Sequence, residues 1–429
     1  MLNRTIAPPI THAVDMEFKL PAIETWYLQN GVPVYALQAG QEEVVQIEWV
    51  FMAGNSWEDK QLVAATTNYL LKNGTSQQTA FQINEHFEYY GSYLNRHCFN
   101  ETSNITLHSL SKHLPHLLPL VAQLLADSIL PQEELDIFVQ NSKQSLSVNL
   151  QRCDFVANRH IDALLYGPQH PYGRYNEAAH FDALQQPELL AFYNRFYKQG
   201  QCAIFVAGKL PDNMFAQLNS TIGALPLQPA VFKAVLNPQV KPLDAQRQHF
   251  ILNDEQGVQG AIRIARPLGT NRHHPHFAEL GVLNTLFGGF FGSRLMSNIR
   301  EDKGYTYGIH SYLQNHLGPT AWMVSTEAGR DVCKAAITEV YKEMEILQQE
   351  LVEEDELLLV RNYMLGQLLG DLDGPFQIIN RWKTYILNGL DEQYFYNAVH
   401  TIKTITPQRL QQLAQEYLRP QEFYELTVV

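Results

Sequence analysis

Arg300 and Tyr307 stand seven residues apart within the segment Phe287 to Ser311, FGGFFGSRLMSNIREDKGYTYGIHS. Both side chains donate hydrogen bonds, and the guanidinium keeps its charge at any working pH. Aimed at one oxygen, they would stabilise negative charge building up on it during nucleophilic attack. One donor so placed is worth about 3 kcal/mol, or about a hundredfold or more in rate. Neither residue can make the nucleophile, which for hydrolysis at a metal centre needs the metal and a general base.

For the two donors to converge, the chain between them must fold back. The stretch Leu295 to Ile299 reads as a short helix with Arg300 at its end, bordering the packed stripe that holds Met296 and Ile299. Gly304 can stop that helix by taking a left-handed conformation. Beyond it Tyr305, Tyr307 and Ile309 are expected on one face of a strand. An ion pair of Arg300 with Glu301 or Asp302 would be the purely structural alternative. Gly288, Gly289 and Gly292 lack the Lys-Ser/Thr of a P-loop and the G-x-G-x-x-G register, so they are read as a turn where backbones approach closely.

The chain repeats itself at an offset of about 215 residues. Val44 to Asn55, VVQIEWVFMAGN, places Val45, Ile47, Trp49 and Phe51 on one strand face, and its counterpart is Gly260 to Asn271, GAIRIARPLGTN. Helices follow at Lys60 to Lys72 and His276 to Phe287, then second strands at Ser103 to Ser109 and Thr320 to Ser325. Long amphipathic helices start near Leu114 and Arg330, each leading into an acidic turn. The expected fold is α+β: two homologous domains, each a mainly antiparallel sheet with helices packed on one face. The boundaries are read as 1–224 for the first domain, 225–248 for a proline-interrupted linker and 249–429 for the second.

Arg300-Glu301-Asp302-Lys303-Gly304-Tyr305-Thr306-Tyr307 matches, residue for residue, the R-E-x-x-G-x-x-Y segment of the M16 zinc peptidases, the pitrilysin/insulinase and mitochondrial-processing-peptidase-like family, which this chain resembles. The resemblance implies that Arg300 and Tyr307 hold the scissile carbonyl of a peptide substrate. It also calls for an inverted zinc motif, H-x-x-E-H, in the first half. With Asn73-Gly74-Thr75 as anchor, the motif positions fall on Ala65, Thr66, Thr67, Asn68 and Tyr69. The helix that should carry a third, carboxylate ligand corresponds to Ser142 to Leu150, SKQSLSVNL, which has none. Zinc needs thiolate, imidazole or carboxylate donors, so no metal ligand and no cofactor is expected in this chain.

The resemblance therefore implies a zinc-less subunit of a heterodimeric M16 metallopeptidase, inactive alone. A partner chain bearing H-x-x-E-H would supply zinc and base. The alternative is a catalytically inactive M16-like structural or peptide-binding protein, which would have little reason to hold both Arg300 and Tyr307. A third class, an enzyme using the same interior for other chemistry, has no motif to support it.

Composition excludes other classes. With 31 Lys and Arg against 44 Asp and Glu the formal charge is −13, and no basic run tracks a phosphate backbone, so nucleic acid is not an expected partner. The four cysteines, Cys98, Cys153, Cys202 and Cys333, form no C-x-x-C and no dense framework, and are read as reduced, packed thiols. No apolar run is long enough to span a membrane and the N-terminus lacks the apolar stretch of a signal peptide, so the expectation is a soluble, cytoplasmic protein. His113 with His116, and His273, His274 and His276, lack zincin spacing and are read as cap or surface histidines. G-x-S-x-G is absent.

Overall fold

A computed structural model of the chain describes residues 12–233 and 246–429. The start of the N-terminal stretch read for an export signal and half of the expected linker, residues 1–11 and 234–245, lie outside the described residues. The chain divides into two compact units: Pro21–Ala234 with Gly374–Gly389, and Met1–Leu20 with Val235–Asp373 and Leu390–Val429. No helix among the described residues is long and apolar enough to cross a membrane.

The first unit is built on β1 (Glu24–Tyr27), β2 (Pro33–Gln38), β3 (Val44–Phe51), β4 (Tyr93–Cys98), β5 (Ser103–Leu110), β6 (Gln201–Gly208) and β7 (Gln228–Pro229). They form one sheet in the order β1-β2-β6-β3-β5-β4, with β7 joined to β6. The second unit holds β8 (Gln248–Ile251), β9 (Gln259–Leu268), β10 (Thr306–Asn315), β11 (Thr320–Gly329) and β12 (Tyr424–Val428), ordered β10-β11-β9-β12-β8. The repeat read from the sequence is visible in these orders. β4-β5-β3-β6-β2 and β10-β11-β9-β12-β8 carry the same pairings, antiparallel up to the last pair, which is parallel in both. The fold is thus α+β, with two mixed sheets that are mainly antiparallel.

Val45, Ile47, Trp49 and Phe51 of β3 are fully buried against helices that include Leu114–Asp127, whose Leu117, Leu118, Val121 and Leu125 face the same core. Each such side chain contributes about 1.5–3 kcal/mol of burial. The opposite face of β3 is covered too. Glu48 is 4% exposed and ion-paired at 2.7 Å with Lys383 of the helix Pro375–Leu387, which belongs to this unit although it lies late in the sequence. Asn104 Nδ2 donates to the same carboxylate, and Phe376 packs edge-on against His108 of β5. A strand sandwiched in this way cannot be told from a half-buried one by its own alternation, because the cover comes from more than 300 residues away.

Candidate functional site

Arg300 sits within a π-helical segment, Met296–Asp302, not at the end of an ordinary helix as its surroundings had suggested. Met296 and Ile299 are buried and Arg300 is half-exposed. Lys303 N–H donates to Asn298 O at 3.0 Å, the five-residue span of a π turn. Gly304, with φ +65°, ends the segment as expected, letting Tyr305 N–H reach Ile299 O at 3.0 Å. Gly288, expected in a turn, lies instead in another π-helical segment, Thr285–Gly289, but its close approach is there: a Cβ on Gly288 would lie 2.6 Å from Ser311 Cβ and 3.0 Å from the Ser311 nitrogen.

Polar contacts anchor the segment from below. Asn298 Nδ2 donates to Glu339 and Glu343 on the helix Cys333–Gln349 at 2.9 and 2.8 Å, and Arg294 grips both carboxylate oxygens of Glu356 at 2.8 and 2.9 Å. Burial raises the Glu343 pKa, whereas the hydrogen bond from Asn298 lowers that of Glu339.

Tyr307 does not share a face with Ile309, contrary to strand alternation. A β-bulge between Thr306 and Ile309 takes one extra residue against β11, and Tyr307 is 91% exposed while Ile309 is 0%. Threonine hydroxyls hold the bulge. Thr306 Oγ1 accepts from Gly308 N–H at 3.1 Å, and Thr326 Oγ1 lies 2.8 Å from Thr306 Oγ1 and 2.9 Å from Gly308 O. The effect is to aim Tyr307 outward beside Arg300.

The Arg300 guanidinium carbon is 5.2 Å from the centroid of the Tyr307 ring and 4.6 Å from that of Phe291. These cation–π contacts are its partners: among the described residues it has no ion pair and no hydrogen bond, so the pairing with Glu301 or Asp302 does not form. A guanidinium held by aromatic faces keeps its N–H donors free for an incoming acceptor. Arg300 and Tyr307 were expected to converge and lie side by side, whereas Phe291, read as part of a glycine turn, and the bulge threonines, which resemble any strand threonine, were not anticipated.

In the first unit, the five zinc-motif positions lie on the helix Val63–Leu70. Its N-terminus is capped by the buried Glu58 carboxylate, which accepts from Leu62 N–H at 3.2 Å and Ala64 N–H at 2.7 Å and pairs with Arg174. Thr66 and Thr67 are buried, and Asn68, 2% exposed, donates to Tyr197 Oη at 3.1 Å. Ala65 offers no donor atom. Tyr69, 48% exposed, packs on Phe138 with ring centroids 4.9 Å apart, under the Arg96 guanidinium at 5.3 Å. The helix Gln132–Asn149, which carries most of the segment matched to the third ligand, presents Ser142, Ser145 and Asn149 toward Tyr69 across a cavity. This set of hydroxyl, amide and phenol groups does not fit zinc. Among the described residues no three His, Cys, Asp or Glu side chains are grouped to hold a metal.

Four of the histidines singled out in the sequence make local contacts. His113 and His116 stack on Tyr90, each at 5.0 Å. His276 Nδ1 meets Tyr417 Oη at 2.9 Å, and His274 Nδ1 accepts from His276 N–H at 3.2 Å. All four cysteines are free thiols, and burial raises Cys98 to about 11.

Residues 183–364 match the family model described as the peptidase M16 inactive domain. The chain is 20% identical over 426 residues to an uncharacterized zinc protease of Bacillus subtilis, YmxG, covering 95% of this chain and 98% of the relative. It is 21% identical over 358 residues to an uncharacterized zinc protease of Rickettsia felis, covering 80% and 82%. The chain is thus similar to M16 zinc proteases along most of its length, and its middle part matches an M16 domain. The chain also resembles in fold the crystal structure of a peptidase M16 inactive domain from Pseudomonas fluorescens, with TM-score 0.84 and 21% identity over 95% of this chain and 98% of that one. A protease from Helicobacter pylori gives the same TM-score, 0.84, at 14% identity, covering 96% and 100%. The R-E-x-x-G-x-x-Y segment is thus set in an M16-like fold, and the positions read as the zinc motif carry no zinc donors.

Proposed function

We propose that this chain is the zinc-less subunit of a two-chain peptidase, contributing Arg300 and Tyr307 to the binding of a substrate carbonyl and to the stabilisation of the charge that develops there. The observation that carries the reading is the state of Arg300: a half-exposed guanidinium without ion pair or hydrogen bond among the described residues, set between the exposed rings of Phe291 and Tyr307. A merely structural arginine would be paired with one of its acidic neighbours. The chain's own residues supply substrate orientation and oxyanion donors. The metal and base would belong to a partner chain bearing H-x-x-E-H.

The test is peptide hydrolysis by this chain, by such a partner and by their equimolar mixture. Activity confined to the mixture and lowered about tenfold or more by Arg300→Ala supports the reading. An inert mixture, or one indifferent to Arg300, overturns it in favour of a non-catalytic M16-like protein.

A further inference from the structure

The first unit contains a cavity of about 530 Å³, within the range of small-ligand sites. Its walls come from the zinc-motif helix with Tyr69, the helix Gln132–Asn149 with Phe138, the helix Cys153–Tyr166 with Phe155, and the segment 175–181 with Tyr175 and Phe181. Arg159 is the single charged lining residue, and no carboxylate lines the cavity. Its guanidinium carbon stacks 4.2 Å from the Tyr175 ring centroid and 5.8 Å from that of Phe155, and Nη2 donates to Asn176 O at 2.8 Å. Nε is buried without an acceptor. Glu177 acts on this guanidinium through space but forms no ion pair with it. The cavity therefore presents one positive charge with no carboxylate in its lining, fixed in orientation by an aromatic face, among apolar rings and the hydroxyls of Ser142 and Ser145.

We propose that this cavity is a binding site for an aromatic carboxylate, with Arg159 taking the carboxylate and the ring packing against Tyr69, Phe138 and Phe181. A single guanidinium matches a monoanion. A phosphate dianion would call for a second cation, which the lining lacks. The ring walls favour a flat apolar body, since offset or edge-on aromatic contacts add to simple burial. The carboxylate can come from a free acid or from the C-terminus of a peptide, and the two share this chemistry. The proposal does not depend on the two-chain peptidase reading, because binding is read on this chain alone and no bond is broken.

The experiment is calorimetric titration of the full chain with three probes: N-acetyl-phenylalanine, a pentapeptide ending in free phenylalanine, and the same pentapeptide as its C-terminal amide. At least one acid should bind, and the free-acid peptide should bind about tenfold or more tighter than its amide, as expected for loss of a charged hydrogen bond. Arg159→Gln should remove that preference, and Arg159→Lys should restore part of it. If N-acetyl-phenylalanine binds as well as the free-acid peptide, the site is one for small acids; if only the peptide binds, it is one for peptide C-termini. Either result supports a carboxylate site. Equal binding of acid and amide by the unaltered chain, or no binding of either acid at millimolar concentration, overturns the proposal even if the Arg159 variants fold poorly.

Discussion

The guanidinium of Arg300 and the ring of Tyr307 meet at 5.2 Å because a π-helical segment and a bulged strand each shift their residue out of regular register. An ordinary strand continuation would turn Tyr307 toward the side of Ile309, which is buried. The pair is the product of two local irregularities, and each can be tested.

Tyr307→Phe keeps the ring that supports Arg300 and removes only the hydroxyl. If the phenol is a donor to the substrate, steady-state assays of the two-chain mixture should show kcat/KM down about tenfold or more, with thermal stability unchanged. Full activity would make Tyr307 a platform for Arg300 and nothing more.

Thr326→Val removes the hydroxyl that meets both Thr306 Oγ1 and Gly308 O across the bulge. Loss of these buried bonds should cost about 1–3 kcal/mol in denaturant unfolding. By loosening the bulge it should also lower kcat more than it changes KM. A variant with wild-type kcat would show that the bulge does not position Tyr307.

Gly288→Ala would press a methyl against Ser311, whose Cβ stands 2.6 Å away and whose backbone nitrogen is 3.0 Å away. Backbone cannot yield as a flexible side chain would, so the second unit should lose about 1–3 kcal/mol. Gly304→Ala, by contrast, meets no atom within 4 Å and should suffer only from its positive φ, by about 1–2 kcal/mol. Comparing the two melting curves separates crowding from backbone strain.

Lys383→Met strands the Glu48 carboxylate, which is buried and shares its remaining contacts with Asn104. Breaking one side of a buried pair costs about 3–5 kcal/mol, and the double variant Glu48→Gln with Lys383→Met should recover much of it. Urea unfolding followed by fluorescence measures both. A double variant as unstable as the single one would show that the helix, not the charge pair, is what matters.

Burial raises the Glu343 pKa, so the protonated form is favoured in the folded state. Its contribution to stability is therefore fully present below the unfolded carboxyl pKa and is lost as pH rises through the folded value. Glu343→Gln, which can still accept from Asn298, should raise the melting temperature at neutral pH, with the gain vanishing in acid. A gain independent of pH would point to packing instead of ionisation.

Much of this was legible in the chain itself. Alternating Val45, Ile47, Trp49 and Phe51 marked a core strand, and its echo at residues 260–271 marked the duplication, because burial on a sheet imposes a two-residue period wherever it occurs. The left-handed Gly304 was legible because few residue types adopt a φ of +65°, and Arg300 and Tyr307 stood out by the pattern they share with it. The π segment was not, since a five-residue and a four-residue hydrogen-bond span differ by a single register step that side-chain patterning barely records. Nor was the bulge, which depends on where two threonine hydroxyls meet across β10 and β11. Arg159 escaped notice because its isolation from carboxylates is a property of space. Aspartates stand five residues before it and three after it in sequence, at Asp154 and Asp162, yet neither lines the cavity.

The helix Pro375–Leu387 has a consequence for how this polypeptide can be divided. It is encoded after most of the second unit yet completes the first, closing over Glu48 and β5. A gene truncated between the halves would yield a first unit with one side of its sheet bare and an acid left unneutralised, and a second unit trailing a helix with no surface to cover. Cutting at the midpoint would therefore not produce two autonomous proteins. Joining residues 374–389 directly to the segment 21–234, with the second unit's residues left out, is the route by which the first unit could be made to stand alone.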